Sequence, residues 1–543
     1  MPLFKKINDI SNRGGARRAW FGLAVTVLVF LIIIPSIFVV TKVFTDWALV
    51  SETLADQSMM ALIYGATWNS FSIALIVTVA DIVLGIPMAW ILIRKEIRGK
   101  RYLDTLMDMP LAFPTAVLGI SVVIFWGAPN GVTIPGLGLV VSPYIMMLLL
   151  HTIFTYPYMV RSLSAILEQI EPTYETAAMT LGASRFTAVR TITIPLFKAG
   201  LVTGFILCFA RSLSETGGTY IALAMMGKAD VFFTGPTFIA YMKDVGADAA
   251  MGPMIIISII MILLALILLF LVKRLMIRIK LPMDRVWPQI GRKLSKGVPP
   301  KVKDSLTLLF MICIVLIPSF YIFAFLTQPI AAVDYGMLMY SIGLSFLVAG
   351  AAVVFNIVFG MPMALYIARN HNSRYGQILD NLVNLPLIIP TTALGFSLAL
   401  FWGGLGLDGS ASVIMIIFGH IAFTYPLVVR NIVGAVEEVD PSYEEVALTL
   451  GAKPFQAFSK VLAPIIKSSI IAGAILAFTR SLGEVGATIA ISTDVMTVPV
   501  YITQLIKDGM YSEAAICSIV LICICFVFML MVRALVNRGR ADA

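Results

Sequence analysis

HTIFTYPYMVRSLSAILEQIEPTYETAAMTLGA, residues 151–183, lines up without a gap on HIAFTYPLVVRNIVGAVEEVDPSYEEVALTLGA, residues 420–452. The register holds onward through ARSLSETGGT (210–219) and TRSLGEVGAT (479–488). Upstream, DIVLGIPMA (81–89) matches NIVFGMPMA (356–364), and DMPLAFPTAVLGISVVIFWG (108–127) matches NLPLIIPTTALGFSLALFWG (384–403). Shared hydrophobicity alone does not produce so long a self-match, which marks an internal duplication. The fold is one unit made twice.

Of the 543 residues, 59% are hydrophobic and only 13% charged, against about a quarter charged in soluble domains. That excludes a water-soluble enzyme, a disordered chain and a nucleic-acid module. Apolar runs near 19–40, 68–93, 108–127, 142–161, 199–223 and 253–272 are followed by runs near 306–327, 339–367, 384–403, 412–430, 468–492 and 513–532. Each suits a hydrocarbon core of about 30 Å, so we expect an all-α polytopic membrane protein of about twelve transmembrane helices. Six spans per copy is an even number, so the copies run parallel. A pseudo-twofold axis along the membrane normal follows, with any pathway where the copies meet. The expected divisions are a first repeat, 1–272, a basic linker, 273–304, and a second repeat, 305–543.

The segments before Ala19 and at 94–101 and 273–303 are basic, the last with Asp284 as its one acid, and 162–195, with Arg185 and Arg190 against Glu168, Glu171 and Glu175, is expected on the same side. Such segments stay cytoplasmic. Loops 41–66 and 224–252 carry Asp46, Glu52, Asp56, Asp230, Asp244 and Asp248 and belong outside. Both termini are then expected in the cytoplasm of a prokaryotic cell, with the chain in its inner (plasma) membrane. The first span lacks a small-residue cleavage site and exceeds a signal peptide's apolar region, so it is expected to be retained. The linker holds Pro282, Pro288, Pro299 and Pro300, and no stretch outside the membrane is long enough for a further domain. Cys208, Cys313, Cys517, Cys523 and Cys525 lie in apolar runs without ligand spacing and read as packing residues.

One expected cytoplasmic stretch per copy is neither a span nor a plain loop. Leu167, Ile170, Tyr174, Ala177 or Ala178, and Leu181 recur at helical spacing, as do Val436, Val439, Tyr443, Val446 and Leu450, so each set is expected to form one helix face. Pro172 and Pro441 suit a first helical turn, after Glu171 and Asp440, and Gly182 and Gly451 suit the left-handed position past a helix end. Ten residues of helix reach about 15 Å and cannot span. An interfacial connector fits, and so does a docking helix received in a partner's groove. Duplication at matching places favours docking.

Here the chain resembles the permeases of binding-protein-dependent ABC importers. Glu175, Thr176, Ala177 and Ala178, then Gly182, Ile192, Ile194 and Pro195, are similar to their EAA loop, and Glu444, Glu445, Val446, Ala447, Gly451, Val461, Ala463 and Pro464 form a second copy. Thr176, Glu445 and Val446 depart from the motif's alanines. The resemblance implies a coupling helix seated on an ATP-hydrolysing subunit, with Glu175, Ala178, Gly182, Pro195, Glu444, Ala447, Gly451 and Pro464 as the coupling residues. It implies two copies of an ATP-binding cassette subunit and an extracytoplasmic solute-binding protein docked on the acidic loops. No G-x-x-x-x-G-K-[ST] loop occurs in the chain, so ATP and Mg2+ are expected on the partner, with no cofactor, metal or catalytic site here.

Within the spans, Arg211 and Glu215 recur as Arg480 and Glu484, four apart and thus expected on one helix face. Buried charge must pair or face water. Both a structural ion pair and a pathway lining or gate fit. Asp81, opposite Asn356, makes the halves unequal; an asymmetric solute site or a local ion pair would each explain it. Pro110, Pro114 and Thr115, with Pro386, Pro390 and Thr391, are expected to kink the third and ninth spans and free carbonyls, for a solute site or for packing. His151 and His420 read as hydrogen-bonded packing in preference to a proton relay.

The leading reading is a fused double permease of an ABC importer. An ion-gradient-driven secondary transporter with 6+6 parallel repeats is the alternative, and it does not account for the repeated short helix. A membrane enzyme lacks a reactive constellation. R-x-L-G-E-x-G-A and P-L-x-x-P-T-x-x-x-G are similar to segments of sulfate, molybdate and tungstate permeases, implying a small oxyanion. Two such units in one chain resemble ferric-iron, thiamine and 2-aminoethylphosphonate importers, which stay open as alternatives.

Overall fold

The computed structural model describes residues 14–127, 136–278, 288–295, 298–328, 333–407 and 409–541. Among them there are helices and no strand. The first half runs α1 (Arg18–Ile37), α2 (Gln57–Arg94), α3 (Lys100–Ala112), α4 (Thr115–Trp126), α5 (Pro143–Gln169), α6 (Pro172–Thr180), α7 (Lys198–Leu213), α8 (Gly217–Met225), α9 (Gly235–Val245) and α10 (Ala247–Arg278). A linker helix, α11 (Pro288–Ser295), leads to the second half. That half repeats the order as α12 (Val298–Thr327), α13 (Tyr335–Arg369), α14 (Arg374–Ile388), α15 (Thr391–Gly404), α16 (Ser412–Glu438), α17 (Ser442–Thr449), α18 (Ala463–Leu482), α19 (Gly486–Ile491), α20 (Val498–Lys507) and α21 (Tyr511–Ala541). Parts of the expected basic termini and linker, at 1–13, 279–287 and 296–297, lie outside the described residues.

Seven described helices are long and apolar enough to cross a bilayer, ten if each sharply bent pair counts as one crossing. The other two expected spans coincide with α5, whose 27 residues reach about 40 Å, and with α21.

Two expectations need correction. The third and ninth spans are not kinked helices: α3 meets α4, and α14 meets α15, at 105°. Pro114 and Pro390 cap α4 and α15 with extended ψ. A proline disfavours helical geometry in the residue before it, here Phe113 and Ile389, both extended, and the chain turns a corner. The fifth and eleventh spans are also discontinuous, broken at 214–216 between α7 and α8 and at 483–485 between α18 and α19.

Four short π-helical turns, Leu28–Ile33, Val189–Thr193, Met311–Leu316 and Phe458–Leu462, each stop just before a proline: Pro35, Pro195, Pro318 and Pro464. Proline has no N–H to give and crowds the preceding turn, and one extra residue per turn relieves both.

The halves are interlaced. Ser397 on α15 donates its hydroxyl to Pro35 O of α1 at 2.7 Å and accepts from Val39 N–H at 2.9 Å. Ser121 on α4 does the same for α12, donating to Pro318 O at 2.6 Å and accepting from Ile322 N–H at 2.8 Å. Each half's first helix therefore packs on the other half, whose serine hydroxyl inserts between the proline carbonyl and the N–H four residues on and satisfies both.

Candidate functional site

Two features recur about the pseudo-twofold axis, a neck where the broken helices meet and a pair of knobs at the basic end. At the neck, Arg211 lies in the last turn of α7 and Glu215 stands in the break, their ion pair measuring 2.5 Å. Arg480 and Glu484 pair in the same way. The pairs are thus not on one continuous helix face, as their spacing suggested. Glu215 Oε1 accepts Gly218 N–H at 3.0 Å, and Glu484 Oε1 accepts Ala487 N–H at 2.9 Å. Each guanidinium lies at the negative C-terminal end of one helix and each carboxylate at the positive N-terminal end of the next. The pair staples the break. Arg211 stacks on Phe154 at 5.0 Å and Arg480 on Phe423 at 5.3 Å, and each arginine also interacts with the other half's glutamate.

Both breaks and both proline corners meet in one layer. Thr216 Oγ1 and Thr392 Oγ1 hydrogen-bond across the halves, Thr391 donates to Ser214 O at 3.2 Å, and Thr115 hydrogen-bonds Glu215. Gly483 packs on Pro114, and a Cβ at Gly217 would come within 2.6 Å of Val485. Nothing larger than glycine fits there. His151 braces the break from α5, its Nδ1 2.7 Å from Ser212 Oγ and its Nε2 2.9 Å from Thr219 Oγ1. His420 repeats this with Ser481 at 2.6 Å and Thr488 at 3.1 Å. Both imidazole nitrogens are thus engaged on either side of the break, which is a packing role.

One turn before Arg211 on the same face lies Leu207, and before Arg480 lies Leu476; both are exposed. Asp81 is fully buried between α2 and α5, accepting the Thr155 hydroxyl at 2.6 Å, and its Oδ1 has no hydrogen-bond partner among the described residues. Asn356 meets Thr424 at 2.8 Å in the same place. The local ion pair considered for Asp81 is not formed among the described residues.

At the basic end, α5 stops at Ile170 and α6 starts at Pro172 in a new direction. The apolar spacing that reads as one face is therefore divided. Leu167 and Ile170 are buried with the bundle, as are Val436 and Val439, whereas Tyr174, Leu181, Tyr443, Val446 and Leu450 are exposed, Leu181 by 89% and Leu450 by 82%. Gly182 (φ 93°) and Gly451 (φ 89°) turn the chain back in the left-handed region. Ala183 N–H bonds to Ala178 O and Ala452 N–H to Ala447 O, both at 3.0 Å, closing a Schellman motif in each copy. The chain then returns through the π turns before Pro195 and Pro464.

The motif glutamates point inward. Arg94, the last residue of α2, reaches Glu175 at 3.6 Å and donates to Ile170 O. Arg369, the last of α13, reaches Glu444 at 2.5 Å and donates to Val439 O at 3.0 Å. Arg161 similarly clamps α3 through Asp104 and Asp108, both at 2.7 Å, as Arg430 clamps α14 through Asp380 at 2.9 Å and Asn384 at 2.8 Å. The sequence reading missed these four arginines. Their recurrence at equivalent positions was the available signal.

The pattern describing binding-protein-dependent transport system inner membrane components matches this chain twice, over residues 81–281 and 356–540. Sulfate transport system permease protein CysT of Salmonella typhimurium is 34% identical over 171 residues, covering 29% of this chain and 58% of CysT. Sulfate transport system permease protein CysW of Escherichia coli is 31% identical over 208 residues, covering 37% of this chain and 70% of CysW. Molybdenum transport system permease protein ModB of Mycobacterium tuberculosis is 37% identical over 156 residues, covering 27% and 59%. The chain thus spans 58% to 70% of these relatives' lengths.

Proposed function

We propose, from the premise that this chain belongs to the family of binding-protein-dependent transport system inner membrane components, that it carries both halves of an ABC importer's translocation pathway. The basic end faces the cytoplasm with both termini, and the acidic end receives a solute-binding protein. Two copies of a separate ATPase, which hold the ATP and Mg2+, seat the α6 and α17 knobs. The single observation carrying this reading is the pair of exposed apolar knobs, Tyr174 with Leu181 and Tyr443 with Leu450, repeated about one axis at the same end of the molecule.

The neck is the closed gate. ATP-driven movement of the halves parts Thr216 from Thr392, and Leu207 and Leu476 line the inner mouth below. The solute is a small oxyanion of the sulfate or molybdate type, the class printed in the names of CysT, CysW and ModB. Arg211 and Arg480 suit an anion, and their glutamates keep the resting neck neutral.

The test is uptake of radiolabelled sulfate and molybdate by vesicles holding this chain, the ATPase and the binding protein. ATP-dependent accumulation that survives an uncoupler is expected. Accumulation that follows the ion gradient and ignores ATP would sink the reading.

A further inference from the structure

We infer that Arg94 and Arg369 are positioning residues, the joints through which a push on each knob reaches the long helices α2 and α13, and that the two joints differ in stiffness. This rests on the ABC-importer reading above. Each arginine is the last residue of its helix, and its planar fork holds two things at once. One is the C-cap carbonyl of the neighbouring span, Ile170 O or Val439 O; the other is the carboxylate in the first turn of the knob, hydrogen-bonded in the case of Glu444 and an ion-pair contact of 3.6 Å in the case of Glu175. Three elements thus move as one body at a point where each backbone is interrupted. Because the glutamates are turned into the transporter, the knob's outer surface is left to Tyr174, Leu181, Tyr443, Val446 and Leu450.

The halves depart from symmetry at this joint. Thr193 donates to Glu175 at 2.9 Å, giving the first knob a hydrogen bond from the turn leading into α7 in addition to the longer Arg94 contact. The equivalent residue is Leu462, which has no hydroxyl to offer. Accordingly the Glu175 side chain is 9% exposed and that of Glu444 28%. The linker adds to the difference, since Ser295 of α11 accepts Phe186 N–H at 2.9 Å just after the first knob. The first joint is doubly pinned. The second hangs on Arg369.

The experiment uses the full chain with its ATPase and binding protein in proteoliposomes, comparing radiolabelled sulfate or molybdate taken up per ATP hydrolysed. Arg369→Gln is expected to co-purify with the ATPase and keep basal hydrolysis, while solute per ATP falls about tenfold, the scale of a typical coupling energy. Arg369→Lys, with one donor group in place of a fork, recovers part of the ratio. The swap Arg369→Glu with Glu444→Arg restores the ion pair but not the bond to Val439 O, and recovers part of it. Arg94→Gln loses less than Arg369→Gln, and adding Thr193→Val deepens it to the same level. A wild-type ratio in Arg369→Gln, or a swap no better than the single variant, overturns the joint. Equal losses in Arg94→Gln and Arg369→Gln overturn the asymmetry. Failure of the importer reading looks different: wild-type protein then shows no ATP-dependent uptake at all.

Discussion

Gly119 lies so close to Gly218 that a Cβ on the first would come within 2.5 Å of the carbonyl oxygen of the second, and Gly395 stands in the same relation to Ala487. In both halves a helix that starts at a proline corner packs backbone to backbone on the helix that restarts after a break. The neck is built on that contact.

Gly119→Ala and Gly395→Ala are therefore expected to force the two helices apart. Overpacking of this kind costs about 1–3 kcal/mol. Thermal unfolding of the purified protein should show the loss, and uptake should fall with it.

Glu484→Gln leaves the half-buried Arg480 beside a neutral group, and breaking the pair from one side costs somewhat less than the ~3–5 kcal/mol of a fully buried one. Arg480→Met combined with Glu484→Gln removes both charges and is expected to recover most of that stability. Uptake is expected to stay low in the double variant, because the Arg480 face continues through Leu476 to the inner mouth. Melting temperature and transport, measured on the same preparations, separate the two effects.

Gly451→Asp places a side chain at φ 89°, where a Cβ costs about 1–2 kcal/mol. No atom stands within 4 Å of that Cβ position, so the bundle is not crowded. Membrane insertion should be normal and co-purification with the ATPase should be lost, whereas Glu444→Lys, which sets two cations against each other at Arg369, should keep the ATPase and lose uptake.

Ser121→Ala with Ser397→Ala removes the hydroxyls that join each half's first helix to the other half. Each loss leaves buried backbone groups unpaired, at about 1–3 kcal/mol per group. When residues 1–304 and 305–543 are produced as two chains, the double variant should reduce their co-purification relative to the unaltered pair.

The duplication made much of this legible. Spans, basic loops and knobs could be read because local pattern and repeat agreed, and Gly182 and Gly451 marked the knob ends through their backbone freedom. The corners at Pro114 and Pro390 were seen as interruptions only, since a proline says that a helix cannot continue but not where the chain goes next. The breaks at 214–216 and 483–485 carry no proline. Their sign was Gly217, Gly218 and Gly486, and the arginine four residues before a glutamate imitated an unbroken helix. Arg94 and Arg369 were invisible to local reading because their carboxylates lie more than 70 positions along the chain. The Tyr174 and Leu167 spacing misled for the opposite reason, a helical period carried across a corner.

Pro35 must find Ser397, 362 positions later, to complete its surroundings. At about 5–20 residues per second the ribosome needs roughly 20–70 s to make that distance. For that whole interval α1 sits in lipid without its eventual neighbour, and neither copy can finish assembling alone. Fusing the copies guarantees that a mate is always tethered nearby, so biogenesis never waits on a chance encounter between separate chains.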